Sequence, residues 1–339
     1  MAGAGGDRRW RVALAGAGAI SHHHLIAWSR ERRAELVAIC DPDLARAQAR
    51  AAQLGGARCH RRLEDALAAG DIDLVDIATP RATHAELVQI AVAHGRDVLC
   101  QKPVTPTLAE GLALAASIAG RARVMVHENW RFRPWYRRLR QWLDQGVLGQ
   151  LQQADMAMLS SGLLPDATGA RPLLVRQPFM RHERRLMIAE VLIHHLDVLR
   201  WLFGPLRVLA ARTAHTMPEL KGETLAVILL ETAERRPITL RGSMVAAGLP
   251  QHTQDRLEAI GATATLRLQG TTLSARGAQA LHARFDLARS YQQSFDGTIR
   301  HFIDRLADGM PFETGLDDNL ETLRLVEDAY AAAGGSEHG

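Results

Sequence analysis

The chain has 339 residues, 47% hydrophobic and 23% charged, with a formal net charge of +4 and a pI near 9.3. That length predicts two domains. The composition is that of an ordinary globular protein, and with no run approaching 18 apolar residues it excludes a membrane span. Basic residues are spread without a block interleaved with aromatics, which excludes a nucleic-acid footprint. Three cysteines, Cys40, Cys59 and Cys100, lack any Cys-x-x-Cys spacing. They exclude a disulfide framework and a zinc site and fit a reducing compartment.

Residues 1–9 read as a Gly-rich tail. The apolar residues after Arg8-Arg9 are broken by glycine and fit a first strand and turn, not an export signal, so the expected location is cytoplasmic. Strands are predicted at Arg11–Ala15, Leu36–Cys40, Leu74–Ala78, Asp97–Cys100 and Arg123–Val126, with a weaker one near Arg58. Helical patterns lie between them at Ser21–Glu31, Asp43–Leu54, Leu63–Ala69, Thr83–His94 and Leu108–Ala119. Short apolar runs without polar alternation mark a parallel sheet covered on both faces, and strand–helix alternation marks a doubly wound α/β domain over 1–126. The pattern then changes. Helices are predicted at Pro134–Gln145 and Ile188–Phe203, the latter stopped by Gly204-Pro205. Strand-like segments follow from Leu206 to about Leu273, including Leu225–Leu230 and Ile238–Met244. Closing helices are predicted at Tyr291–Leu306 and Leu316–Tyr330, before a tail at 332–339. Residues 127–339 thus read as an α+β domain with an open, largely antiparallel sheet and helices on one face.

Gly16-Ala17-Gly18-Ala19-Ile20-Ser21 follows the first strand and opens a helix, as a dinucleotide fingerprint does, with serine in place of the third glycine. Asp41 ends the second strand, where a carboxylate reaches the adenosine ribose. His22-His23-His24 point about 100° apart on a helix and cannot converge on one ion, though one of them near the cofactor fits the pattern. Lys102 stands at the end of a buried strand before Pro103. Of 41 Lys and Arg only Lys102 and Lys221 are lysine, and lysine suits proton transfer because its pKa responds to desolvation. Glu190 and His194, at i and i+4, share a helix face as an acid/base pair; no third ligand stands at metalloprotease spacing, so no metal is expected.

Taken together and in order, several motifs resemble the Gfo/Idh/MocA oxidoreductases. They are Gly16-x-Gly18-x-Ile20, Cys40-Asp41-Pro42-Asp43, Ala78-Thr79-Pro80 with His84, and Gln101-Lys102-Pro103. Further on come Asn129-Trp130-Arg131-Phe132-Arg133-Pro134-Trp135-Tyr136, the stretch His194 to Gly204, and Pro311-Phe312-Glu313-Thr314. The resemblance implies a Rossmann domain followed by an α/β domain whose open sheet mediates oligomerisation, so a homo-oligomer (dimer or tetramer) is expected. It implies NAD(P)-dependent oxidation of a sugar or polyol, with cofactor contacts from Gly16, Gly18, Ala19, Ile20, Asp41, Thr79, Pro80, His84, Gln101 and Lys102. It implies Lys102, His194 and Glu190 as the catalytic group, and Asn129, Arg131 and Arg176 as further substrate contacts. Three departures stand out: Gln101 and Glu190 replace the usual glutamate and aspartate, and Leu192 replaces glycine, which is expected to narrow the site.

Within the family, Gln-Lys-Pro with His-Glu-Asn-Trp-Arg-Phe-Arg-Pro and Glu-x-x-x-His-His-Leu-Asp resembles a subgroup acting on aldoses. The substrate expected from it is D-apiose or a similar small pentose, oxidised at the anomeric carbon to a lactone. NAD is expected over NADP, because the Asp41 carboxylate would meet a 2′-phosphate. Two other classes are compatible with the fold: a reductase of an aldehyde, ketone or imine using NADPH, and a non-catalytic nucleotide-binding regulator. A regulator would have little reason to keep Lys102, Glu190 and His194 together.

Overall fold

Apolar runs in the first third of the chain become six strands of a wholly parallel sheet: β1 (Trp10–Ala15), β2 (Ala34–Cys40), β3 (Arg58–His60), β4 (Leu74–Ile77), β5 (Asp97–Gln101) and β6 (Val124–His127). Helices α1 (Ser21–Arg30), α2 (Leu44–Ala51), α3 (Leu63–Ala68), α4 (His84–Ala93) and α5 (Leu108–Ile118) connect them. The computed structural model describes residues 9–334; residues 1–8 and 335–339, with most of the two expected tails and Arg8, lie outside the described residues. Strand order is β3-β2-β1-β4-β5-β6, so the chain winds outward from β1 and then outward again from β4. The reversal opens beyond the carboxyl ends of those two strands, where such sheets take ligands. Every residue of β4 is buried, which explains the absence of polar alternation.

The chain divides into two compact units, one made of residues up to Phe132 together with Tyr291–Glu321, the other of Arg133–Ser290 with the residues from Thr322 onward. This corrects the expected single cut at 126/127. The physical reason is apolar packing: Phe295, Ile299, Phe302 and Ile303 lie in one buried cluster with Trp28, Leu99 and Met125 of the parallel-sheet unit. Thr314 reinforces the join. Its carbonyl accepts from Val126 N–H at 2.8 Å and its hydroxyl donates to Val126 C=O at 2.6 Å.

The second unit begins with α6 (Pro134–Asp144), β7 (Leu151–Leu159), the short α7 (Pro172–Arg176) and α8 (Ile193–Phe203). Then come β8 (Leu206–Ala214), β9 (Leu225–Thr232), β10 (Pro237–Ser243), β11 (Gln254–Gly261), β12 (Ala264–Gln269), β13 (Thr272–Gly277) and β14 (Leu281–Arg284). The closing helices are α9 (Leu287–Asp308) and α10 (Leu316–Ala332). The eight-stranded sheet runs β14-β13-β12-β11-β7-β10-β9-β8, antiparallel except where β7 lies parallel to β10. The expected helix Ile188–Phe203 is in fact two pieces, a π-helical turn at Met187–Leu192 and then α8. Gly204, at φ +84°, ends α8 as the Gly-Pro stop implied.

Candidate active site

The turn after β1 is built for close approach. Gly16 has φ +100°, and a Cβ there would lie 2.6 Å from the Ala78 carbonyl oxygen, so only glycine fits between β1 and the end of β4. Gly18 is the opposite case: a Cβ there would meet nothing within 4 Å. That open space faces the start of α1, where Ile20 makes no side-chain cap and the first turn holds no acidic residue. First-turn N–H groups have no partner within their own helix, so the turn suits a pyrophosphate. Ser21 replaces the usual third glycine by turning inward; it is fully buried, and its hydroxyl donates to Gly18 C=O at 2.7 Å.

Asp41 is pinned at this turn. One carboxylate oxygen accepts from Ala17 N–H at 2.8 Å and the other from Asp43 N–H at 2.9 Å. Ala17, Gly18 and Ala19 line a cavity of about 310 Å³ with Arg46 and Arg50 of α2. Arg46 pairs with Asp43 at 3.2 Å, and Arg50 donates to Gly18 C=O at 3.1 Å. These residues fit an adenosine dinucleotide: an uncapped helix start for its phosphates, an open glycine beside them, and a carboxylate for ribose hydroxyls.

At the end of β5, Gln101 stands opposite His127 of β6. Its amide nitrogen is 2.8 Å from His24 Nε2 and 3.2 Å from His127 Nδ1. Behind His24 lies Asp76, which is fully buried and takes two donors on one oxygen, His24 Nδ1 and Trp28 Nε1, both at 2.7 Å. With His24 donating to Asp76, its other nitrogen accepts from Gln101. A glutamine offers two N–H donors to this pair of rings, and a carboxylate offers none. The expected histidine near the cofactor turn is therefore His24, which serves the protein interior, while His22 is exposed and His23 bonds Gln292 at 2.8 Å. Among the described residues no group of three or more His, Cys, Asp or Glu is arranged to hold a metal ion.

His84, expected to contact cofactor, is 1% exposed and serves as an internal fastening. Its ring nitrogens lie 2.8 Å from Pro103 C=O and 2.9 Å from Thr79 C=O, tying the end of β4 to the turn that follows Lys102. The Lys102–Pro103 bond is cis. Thr79 accepts from the Thr83 hydroxyl at 2.8 Å, and Pro80 stands at the N-cap of the short 3₁₀ turn before α4. Asn129 and Arg131, expected to touch substrate, make internal bonds as well. Asn129 is 4% exposed and donates to the Ser294 hydroxyl at 2.8 Å. Arg131 is 2% exposed and donates to Glu313 C=O at 2.7 Å and to Asp318 at 2.6 Å. Both hold the returning 291–321 segment in its unit.

In the second unit, Glu190 and His194 straddle the change from π to α winding. The i→i+5 turn is wider than an α turn, yet residues four apart still stand on one side. Met187–Ala189 and Leu192–Ile193 are buried, whereas Glu190 and Val191 are half-exposed and His194 is 7% exposed. The accessible edge of this segment is therefore Glu190 and Val191, with His194 buried one turn further on. Leu192 does not narrow that edge, which corrects the expectation drawn from its replacement of glycine. It is fully buried and faces β10 at Gly242, where a Cβ would lie 2.9 Å from Leu192 Cδ2 and 2.2 Å from Met187 Cε. Arg176, at the end of α7, is exposed.

Next to His194, the His195 ring is fully buried and points the other way. Its Nε2 lies 2.9 Å from Asp255 on β11, and its Nδ1 lies 3.2 Å from Val191 C=O. The Tyr136 hydroxyl donates to the other Asp255 oxygen at 2.8 Å. Burial acts to raise the Asp255 carboxyl, but the His195 ring, Arg133 and the Tyr136 hydroxyl outweigh it and hold the group at about 2. Asp197, also buried, accepts from the Thr322 hydroxyl at 2.9 Å. The sequence contained none of these partnerships; a signal for them was a helix, α8, with polar residues on its otherwise apolar faces.

Comparison with known proteins agrees with this geometry. Residues 10–129 match the family model described as "Oxidoreductase family, NAD-binding Rossmann fold", and residues 136–267 match the GFO/IDH/MocA C-terminal domain. A D-apiose dehydrogenase from Paraburkholderia graminis is 33% identical over 96% of this chain and 88% of its own length. Inositol 2-dehydrogenase 4 from Saccharopolyspora erythraea is 30% identical over 88% and 86%. The crystal structure of an oxidoreductase from Agrobacterium radiobacter, in complex with NAD+, L-tartaric acid and magnesium, superposes with a TM-score of 0.89 at 28% identity, covering 96% of each chain. With both domain models matched in order and a relative one-third identical along nearly the whole chain, this chain belongs to the Gfo/Idh/MocA family of NAD-binding oxidoreductases.

Proposed function

We propose that this chain is an NAD-dependent dehydrogenase of a small aldose, D-apiose or a similar pentose, oxidised at the anomeric carbon to its lactone. The observation that carries the reading is the placement of Glu190 and His194 four positions apart where the π turn passes into α8, the carboxylate half-exposed and the imidazole buried. A carboxylate and an imidazole on one side of a helical segment suit a polyhydroxylated ligand with one proton to lose. In the proposed reaction the anomeric C–H leaves as hydride and the O–H as a proton, giving the C=O of the lactone. NAD, when bound, supplies the hydride acceptor. His194 takes the hydroxyl proton and Glu190 accepts from a neighbouring sugar hydroxyl, while the Lys102 ammonium is the group suited to steady developing negative charge. The resemblance to D-apiose dehydrogenases along the chain supports a pentose over a cyclitol.

The test is a panel of D-apiose, other pentoses, hexoses and myo-inositol with NAD, followed at the NADH absorbance band. The highest kcat/KM is expected with a pentose. Turnover of myo-inositol alone would replace the aldose reading, and turnover of nothing in the panel would sink it. A homo-oligomer, dimer or tetramer, is part of the proposal. Leu209 on β8 and Val227 on β9 are 41% and 48% exposed on the second unit's sheet, and light scattering of the purified protein measures the state directly.

A further inference from the structure

The π-helical turn that carries Glu190 begins on a buried carboxylate from elsewhere in the second unit. Glu223, just before β9, is 8% exposed. One of its oxygens accepts from Leu186 N–H at 3.2 Å and the other from Ile188 N–H at 3.1 Å. The Tyr330 hydroxyl of α10 donates to that second oxygen and accepts from Ala189 N–H at 3.3 Å. Three backbone donors at the start of the turn, those of Leu186, Ile188 and Ala189, are thereby held by one carboxylate and one hydroxyl, an arrangement that helix starts normally obtain from a local cap; here Leu186, at the N-cap, provides no such group.

Two glycines make room for the arrangement. A Cβ on Gly222 would lie 2.6 Å from both the Glu183 carbonyl oxygen and Leu186 Cβ, so only glycine lets the loop bring Glu223 under the segment. At the far end, Gly242 receives Met187 and Leu192. The Arg185 guanidinium covers the Tyr330 ring at 4.4 Å and pairs with Glu327 at 3.0 Å, fixing that ring from outside. Burial and the neighbouring Glu223 carboxylate push the Tyr330 phenol well up, so it remains a donor throughout the working pH range. π turns are rare and cluster at functional sites. A π turn holds more residues than an α turn, so its width bears on where Glu190 falls relative to His194.

We propose that Glu223 and Tyr330 are positioning residues of the sugar site: they hold 186–192 in its wide turn and so set the placement of Glu190 relative to His194. The inference rests on the reading of Glu190 and His194 given above. Its test uses the full-length protein with NAD and whichever panel sugar is turned over best. Tyr330→Phe removes one hydroxyl without changing shape and is expected to lower kcat/KM for the sugar about tenfold, and Glu223→Gln about ten- to a hundredfold, the range for a hydrogen bond to a charged group. Glu223→Asp, which keeps both acceptor oxygens, should recover part of the loss. The Kd for NAD, read by fluorescence quenching, should stay within about twofold in all three variants.

Non-additivity separates positioning from general weakening. In a Glu190→Gln background, adding Tyr330→Phe should cost less than about twofold more, since the group being positioned is already gone. If sugar is oxidised and Glu190→Gln impairs it, but Tyr330→Phe and Glu223→Gln match the wild type or their losses multiply with that of Glu190→Gln, the positioning role is overturned and the catalytic reading stands. If Glu190→Gln itself is fully active, or no panel sugar is oxidised, the catalytic reading falls and the positioning role falls with it.

Discussion

Lys102 is one of two lysines in a chain with 41 Lys and Arg, and that scarcity is what made it legible before any coordinates. Lys102→Met keeps the length and removes the ammonium. It should leave NAD binding within a few-fold of wild type while kcat falls by roughly 10²–10⁴, the scale for losing an acid/base or charge-stabilising group; unchanged turnover would end its assignment. His194→Asn should lower kcat by a similar factor, roughly 10²–10⁴, with the Kd for NAD again the control. Other residues were not legible at this scale. His22, His23 and His24 are equivalent in a sequence, and only the fold decides that His24 meets Asp76. Asn129 and Arg131 show how a family motif mixes packing with chemistry: both lie in a run that looks like a ligand site, and both bond the 291–321 segment. Glu223 and Tyr330 lie 107 positions apart, so no spacing rule joins them.

At the scale of elements, the parallel half was read nearly in full because largely buried strands alternating with helices leave strong marks. The Thr107–Glu110 capping box that opens α5 is one of them. The central strand of the other sheet, β7, was missed. Its first half, Leu151-Gln-Gln-Ala-Asp155, is polar, and it carries no β-branched residue, so propensity argued against a strand that tertiary pairing with β10 and β11 imposes. α8 is tied to that sheet through His195 and Asp255. The Asp255 carboxyl sits at about 2 against an ordinary 3.8, so it is depressed on folding. Its contribution is present above pH 3.8 and is lost as pH falls towards 2, and amounts to roughly 2 kcal/mol. Urea midpoints should therefore drop between pH 4 and pH 2.5. Asp255→Asn should flatten that drop while costing about 1–3 kcal/mol at pH 7, because it weakens a buried acceptor shared by the His195 ring and the Tyr136 hydroxyl. Parallel pH profiles in the two proteins would show that other carboxylates govern the acid limb.

For the molecule as a whole, choice of dinucleotide sets a long-range effect against a short-range one. The net charge of +4 attracts NADP, with its additional phosphate, more strongly than NAD, but charges spread over a surface are largely screened beyond a Debye length of about 8 Å at physiological salt. Asp41 acts at close range. Its carboxylate is fixed at the glycine turn by two backbone donors, and a 2′-phosphate a few ångströms away costs on the order of 1–4 kcal/mol at surface-like dielectric. Arg46 and Arg50 border the same cavity, but Arg46 is paired with Asp43 and Arg50 with the Gly18 carbonyl, so neither is committed to a phosphate while Asp41 stands there. The short-range term wins. NAD should exceed NADP by at least about tenfold in kcat/KM, as one to three decades of affinity follow from that cost. The ratio should widen as salt rises from low to physiological levels, because salt weakens the distant attraction more than the close repulsion. Asp41→Ser keeps a hydroxyl for the ribose, removes the repulsion and leaves both arginines in place, and should level or reverse the preference. Steady-state kinetics with both cofactors at two ionic strengths decides it: equal use by the wild type, or a ratio that shrinks as salt rises, would mean that Asp41 does not face the ribose.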